Sequence, residues 1–433
     1  MELICIAVAV VACGGVLALV LAKPSVTVHG NSYPIFWVPV AAGALVLLCS
    51  GAMDPVVCWQ ELTRPSAVNP LKILVLFFSM TFLSVYLDET GFFRMLAAWV
   101  LRVAGKTQIR IFAALYFAVA VLTVVTSNDI IILTFSPFLC YFAKHANINP
   151  VPYLFAEFVS ANTWSMMLII GNPTNVYLAT SAGIDFSSYF LVMALPAIAA
   201  GVTAFFVLYL CFRKQLAQPI SAEEQEPYVL REKTGMILGL VHLGGCTVLL
   251  AVSSYLNLEM WLISLVFALS LAVCVTAERC IKKENLSVLG HCLKRAPWEL
   301  VPFVLSMFVI VLALEQNGVT DRFSFLFSSN RPILSYGVGS FLSANLINNI
   351  PMSVLFGSLA ARSTNVLQAV YASVIGSNVG AFFTPIGALA GIMWSGILKN
   401  NGVQFGFRDF IRHGLVVAVP TLAVALGVLA LLV

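Results

Sequence analysis

Residues 156–175 read AEFVSANTWSMMLIIGNPTN. Apolar side chains dominate this stretch, yet it is broken by Asn162-Thr163 and by the run Gly171-Asn172-Pro173-Thr174-Asn175. Proline has no N–H with which to continue the helical ladder, and glycine reaches backbone conformations that other residues avoid. A helix that enters this stretch is therefore interrupted inside an apolar span. In hydrocarbon, unwound backbone is tolerated only where protein or a water-filled cavity surrounds it. The stretch predicts a broken transmembrane helix beside an internal cavity.

The whole chain supports a membrane setting. Of 433 residues, 60% are hydrophobic and 10% charged, against about 45–50% and about 25% in a soluble domain. The apolar residues come in blocks about as long as a helix needs to cross roughly 30 Å of hydrocarbon. Candidate spans lie near 3–22, 34–52, 71–87, 92–103, 111–125, 150–182, 186–211, 235–256, 258–277, 298–316, 333–362, 367–398 and 409–433. Some are too long or too polar to be single spans, so roughly ten to twelve crossings with re-entrant pieces are expected. The first segment, Met1-Glu2-Leu3 onward, has no basic n-region and no small-residue cleavage site before Lys23, and reads as a retained helix.

Charge and sulfur narrow the function classes. Arg102, Lys106 and Arg110 form one basic loop, and Arg279, Lys282, Lys283, Lys294 and Arg295 a second; the positive-inside rule turns both toward the cytoplasm. Neither is interleaved with aromatics in a soluble module, so no nucleic-acid partner is expected. The ten cysteines form no CxxC pair, and His29, His145, His242, His291 and His413 have no ligand spacing. Neither a disulfide framework nor a metal or other cofactor site is expected.

A polar stretch, RKQLAQPISAEEQEPYVLREK at 213–233, divides the chain almost in half. It separates a first membrane repeat (1–212) from a second (235–433), with 213–234 as the linker. Residues 76–91 align with 303–318 at an offset of 227, with Ser79/Ser306, Met80/Met307, Leu87/Leu314 and Gly91/Gly318 identical. Asn128 in TSND then corresponds to Asn349 in INNIP, and Asn162 to Asn378 in GSNVG. An odd number of crossings per repeat would insert the halves in opposite orientations, as in many transporters. The expected fold is an all-α polytopic membrane protein of two inverted repeats, each holding a re-entrant helical hairpin and a broken transmembrane helix.

The polar residues inside these spans are the candidate site. In the first half they are Ser127, Asn128, Asp129, Asn162, Thr163, Gly171, Asn172, Pro173, Thr174 and Asn175. In the second they are Asn348, Asn349, Ser377, Asn378, Thr384, Pro385 and Gly387. Half-helix ends expose unpaired N–H and C=O groups with partial charge, asparagine adds a donor and an acceptor, and Ser or Thr adds a hydroxyl. Together they can replace the hydration shell of a small ion or polar solute. Ionisable residues within membranes are costly and tend to be functional, which singles out Asp129, beside the first tip, and Glu157 as proton-coupling candidates. Asp88, Glu89 and Glu315 sit at span ends and read as solvated boundary charges.

These motifs resemble the ion transporter superfamily, and most closely its arsenite/antimonite permease and sodium/proton antiporter (ArsB/NhaD-like) branch. The resemblance is carried by LDETGFF at 87–93, TSNDIIILTFSPFL at 126–139, residues 156–175, NLINNIP at 345–351 and GSNVGAFFTPIGALAGIMW at 376–394. It implies a scaffold region, a transport region with two opposed hairpins, and elevator-like movement. Homodimers and an energising ATPase subunit are further partners that the family brings into view. The dicarboxylate branch carries Ser-Asn-Thr at each tip, whereas this chain has Ser-Asn-Asp at one and Asn-Asn-Ile at the other.

The function expected from these readings is secondary active transport across the inner or plasma membrane, namely proton-coupled efflux of arsenite, antimonite or a similar small inorganic solute. Sodium/proton antiport is the nearest alternative, with H+ or Na+ as the coupling ion, and sodium-coupled carboxylate transport follows it. A channel would be marked by flux that ignores a proton gradient. An intramembrane enzyme is disfavoured because the chain contains no GxSxG and no HExxH.

Overall fold

The structure is a computed structural model that describes the chain apart from residues 23–24, 29–30, 65–68, 106, 221–231, 254 and 328–330. Half of the polar linker, and Lys106 of the first basic loop, therefore lie outside the described residues. The described residues form twenty α-helices. One short antiparallel pair of strands, β1 (Ser25–Val28) and β2 (Asn31–Pro34), is an addition to the all-α plan.

The helices fall into two series with the same order. The first comprises α1 (Glu2–Ala22), α2 (Val38–Cys49), α3 (Pro55–Thr63), α4 (Pro70–Glu89), α5 (Phe92–Ala104), α6 (Gln108–Val125), α7 (Asn128–His145), α8 (Val151–Trp164), α9 (Pro173–Ser181) and α10 (Phe186–Leu216). The second comprises α11 (Lys233–Ala251), α12 (Met260–Lys282), α13 (Ser287–Arg295), α14 (Leu300–Gln316), α15 (Val319–Phe327), α16 (Pro332–Ile347), α17 (Asn349–Ala360), α18 (Val366–Gly380), α19 (Leu389–Asn400) and α20 (Phe407–Leu432). Packing follows the same correspondence. α6 lies on α8 as α16 lies on α18, and α8 on α10 as α18 on α20. Several contacts are exchanged between series: α4 packs on α12 as α14 packs on α2, and α17 on α9 as α7 on α19.

The last helices of the two series show their relative direction. Phe212, near the end of α10, stacks on His413, near the start of α20, with ring centroids 5.1 Å apart. At the opposite end Gln368 donates to the carbonyl of Val433, while Tyr371 faces Tyr189 near the start of α10. α10 and α20 thus run antiparallel, the arrangement expected of inverted repeats.

Helix ends follow local chemistry. Asn69 caps α4, accepting from Leu71 N and Lys72 N, with Pro70 in the first turn. Asp185 caps α10 in the same way through Ser187 N and Ser188 N. The apolar interior has two parts: α1, α2, α14 and one face of α4 form the smaller cluster, and the remaining helices the larger.

One expectation needs correction. α7 was not among the expected spans, because Asp129, Pro137 and Lys144 dilute its hydropathy. The long segments near 150–182, 333–362 and 367–398 each divide into two shorter helices, as the expected broken helices and re-entrant pieces require. Seven segments among the described residues are by themselves long and apolar enough to cross a membrane, and shorter apolar helices in α1, α2, α16, α17 and α18 accompany them.

Candidate functional site

Two of the breaks lie within the hairpins α6–α7 and α16–α17. In the first, Thr126 and Ser127 leave the helical region and Asn128 opens α7. In the second the whole break is Asn348, with φ 71° and ψ 156°, a region that only glycine enters freely and that costs on the order of 1–3 kcal/mol elsewhere. Asn348 is held there by its own amide, whose Nδ2 donates to Ile386 O at 2.9 Å while Oδ1 accepts from Ile350 N at 3.4 Å.

The other two breaks divide α8 from α9 and α18 from α19. After Trp164 the chain makes two tight turns, and Asn172 then caps α9 by accepting from Thr174 N, with Pro173 at its first position. Gly171 and Gly387, which correspond between the series, make both crossings feasible. A Cβ on Gly171 would stand 2.2 Å from Ser165 O, and one on Gly387 2.5 Å from Gly380 O.

Buried asparagines knit the breaks together. Asn128 Nδ2 donates to Asn162 Oδ1 at 3.0 Å. Ser165 Oγ donates to Asn162 O at 2.9 Å and to Asn378 Oδ1 at 3.0 Å. Asn172 Nδ2 donates to the same Asn378 oxygen at 3.0 Å, and Asn378 Nδ2 donates to Asn175 Oδ1 at 2.7 Å. Ser377 Oγ meets Thr174 Oγ1 at 3.2 Å. On the second hairpin, Asn345 Oδ1 accepts from Thr384 N at 3.1 Å and from Thr384 Oγ1 at 2.6 Å, and its Nδ2 reaches Gly380 O at 3.1 Å. Hydrogen bonds thus join the first tip, the α8–α9 crossing and α18 in one network, and the second tip to the α18–α19 crossing in another.

Not every polar atom in this region is paired. Asn128 Oδ1, Asn349 Oδ1 and Ser127 Oγ are buried with no hydrogen-bond partner. Buried polar atoms of folded proteins are nearly always satisfied, so such exceptions call for an explanation. Asp129 is half-buried and has no partner among the described residues. The segments 126–137, 157–178, 341–357 and 371–391, which carry the breaks, contain no Lys or Arg.

The remaining candidates are placed differently. Thr163 bonds back to Val159 O at 2.7 Å, so its hydroxyl serves α8. Pro385 lies in the α18–α19 crossing without a hydrogen-bonding role. Glu157 is buried and accepts from Ser136 Oγ at 2.8 Å, with no hydrogen bond to the asparagines among the described residues. Ser165, which bridges the series, was not among the sequence candidates, nor was Ser136. The only signal for either was a hydroxyl inside an apolar span. Asn345, within the NLINNIP motif, anchors the second crossing.

A family model described as "Citrate transporter" matches residues 1–376. The chain is 29% identical over 413 residues to the arsenical pump membrane protein of Escherichia coli (strain K12), covering 90% of this chain and 92% of that protein. It is 25% identical over 382 residues to the 46 kDa membrane protein of Mycobacterium leprae (strain TN), covering 82% of this chain and 84% of that one. Among solved structures it resembles the YdaH transporter of Alcanivorax borkumensis, with TM-score 0.57 and 12% identity over 99% of this chain and 97% of that one, a likeness of fold. The unwound backbone at two crossings, the unpaired tip oxygens and the inverted series agree with these matches: the chain belongs to the citrate transporter family and is a multi-pass membrane protein that acts as a secondary transporter of an ion or small solute.

Proposed function

We propose that this transporter exports trivalent arsenic or antimony, as the neutral hydroxide, in exchange for protons. The observation that carries the reading is the pairing of unsatisfied buried acceptors at the tips, Asn128 Oδ1 and Asn349 Oδ1, with the lack of Lys or Arg in the four break segments. A neutral solute bearing three hydroxyls offers donors to such acceptors and needs no fixed countercharge. A tricarboxylate would enter a site that offers no cation and holds an acid, Asp129, at the tip; burying unpaired charge is strongly unfavourable. The name borne by the bacterial relatives points the same way.

Sodium/proton exchange is the second reading, favoured by the same acceptor oxygens, since a hard cation also takes amide and hydroxyl oxygens. Asp129 is the proposed proton carrier in either case, because it adjoins Asn128 and has no partner among the described residues. The test is accumulation of trivalent arsenic by everted membrane vesicles, driven by an imposed proton gradient or, separately, a sodium gradient. Proton-driven accumulation whose pH dependence disappears in Asp129→Asn supports the reading. Sodium movement without arsenic movement would replace it with the second, and an unchanged pH profile in Asp129→Asn would move the proton to another carboxyl, Glu157 first.

A further inference from the structure

A cavity of about 370 Å³ lies between the start of α4, the α9–α10 turn and the α11–α12 connection. Its side of the membrane follows from contacts already in the fold. Ser187 donates to Ala251 O, and Lys72 pairs with Glu259, so the starts of α4, α10 and α12 and the end of α11 share one face. At the opposite face Glu232 pairs with Arg279, Arg295 with Glu89, and Gln108 bonds Gln218 O. That second face carries Arg102, Arg110, Arg213, Lys214, Lys282, Lys283 and Lys294, so the positive-inside rule makes it cytoplasmic. The cavity therefore opens to the outside.

Its wall leads toward the asparagine network. Pro173, Tyr177 and Thr180 lie three to four residues apart along α9 and so share a face over about 10 Å. Thr180 lines the cavity; Pro173 and Tyr177 line a second space, of about 20 Å³, beside Ile350 of the hairpin tip. Ile73 lines both. The second space holds one water at most and is walled by Phe77, Leu300 and Val304 as well as Ile73, Tyr177 and Ile350. A chamber open to the outside, with Lys72, Asp185 and Glu259 on its wall, is thus separated from the site by one short apolar constriction. We infer that the cavity is the outward vestibule of the transported solute and that Ile73, Tyr177 and Ile350 form the seal between vestibule and site.

The charges on the vestibule wall bear on what passes. Lys72 pairs with Glu259 and lies 5.8 Å from the Trp261 ring centre. The ammonium holds the Glu259 carboxyl below its usual pKa range. Among the described residues Asp185 is the remaining charge on the wall, so the formal balance of those residues is negative. That suits a neutral or cationic solute and opposes a polyanion.

The inference rests on the transport reading, and its test separates the two. Thr180→Cys and Ser353→Cys, the latter on the crevice wall, would be made with exposed Cys49, Cys211 and Cys280 replaced by Ser. Intact cells would be treated with a membrane-impermeant methanethiosulfonate. Thr180→Cys should react at least about tenfold faster than Ser353→Cys, and adding Ile73→Ala should raise the Ser353→Cys rate by about tenfold, since buried thiols react only through local opening. Modified Thr180→Cys should lose arsenite export and regain it when reductant removes the adduct. Equal rates at the two positions, an unreactive Thr180→Cys, or full modification without loss of export would overturn the assignment. The expected labelling in a protein that exports no arsenite supports the seal and overturns the proposed solute.

Discussion

Asn378 uses its entire amide: Oδ1 accepts from Ser165 and Asn172, and Nδ2 donates to Asn175 and to Val374 O. Asn128, by contrast, donates to Asn162 and leaves its oxygen unpaired. The proposed function gives the two residues different tasks: Asn378 holds the crossings in place, and Asn128 would keep an acceptor for the solute. Asn378→Ala strips partners from Ser165, Asn172 and Asn175, at about 1–3 kcal/mol for each buried group left unpaired. It should therefore lower the melting temperature of the purified protein more than Asn128→Ala, which orphans only Asn162 Oδ1. Comparable melting temperatures for the two variants would remove the distinction. The asparagines themselves were legible in the sequence, because an amide in a membrane span is conspicuous. Their division of labour was not, since it depends on which lone pairs the neighbours occupy.

At the scale of elements, the two tips solve the same problem differently. The first opens over Thr126 and Ser127, whereas the second turns on Asn348 alone, in a glycine-like conformation. Asn348→Gly removes backbone strain of about 1–3 kcal/mol while losing two hydrogen bonds, each worth about 1 kcal/mol. Asn348→Ala keeps the strain and loses the same bonds. Thermal unfolding in detergent should rank Gly above Ala, and the reverse order would show that backbone strain at the tip does not govern its stability. At the crossings, Gly171→Ala and Gly387→Ala each drive a methyl into a carbonyl, and overpacking of this kind costs about 1–3 kcal/mol; both should lower stability and transport. The sequence marked three of the four breaks by proline and glycine, and the tip at 126–128 by its polar run. It hid α7, because one acid, one proline and one lysine are enough to pull an 18-residue helix below the average of its neighbours.

For the molecule as a whole, the central feature is the exchange of partners between antiparallel series. The repeat was visible in the recurrence of Asn128, Asn162 and their counterparts. The packing of α4 on α12 and of α14 on α2 was not, because membrane helices associate through shape and close packing, which an apolar sequence does not encode in any local pattern. The orientation predicts that Lys283→Cys reacts with an impermeant thiol reagent only from the cytoplasmic side and Asn257→Cys only from the outside; reaction of both from one side would refute the assignment of faces. The claim that the tip oxygens receive the solute is tested most directly by proton-driven arsenite accumulation in everted vesicles carrying wild type, Asn128→Ala or Asn349→Ala at matched abundance. The account predicts accumulation by the wild type and none by either variant. Accumulation at the wild-type rate in either variant would contradict it.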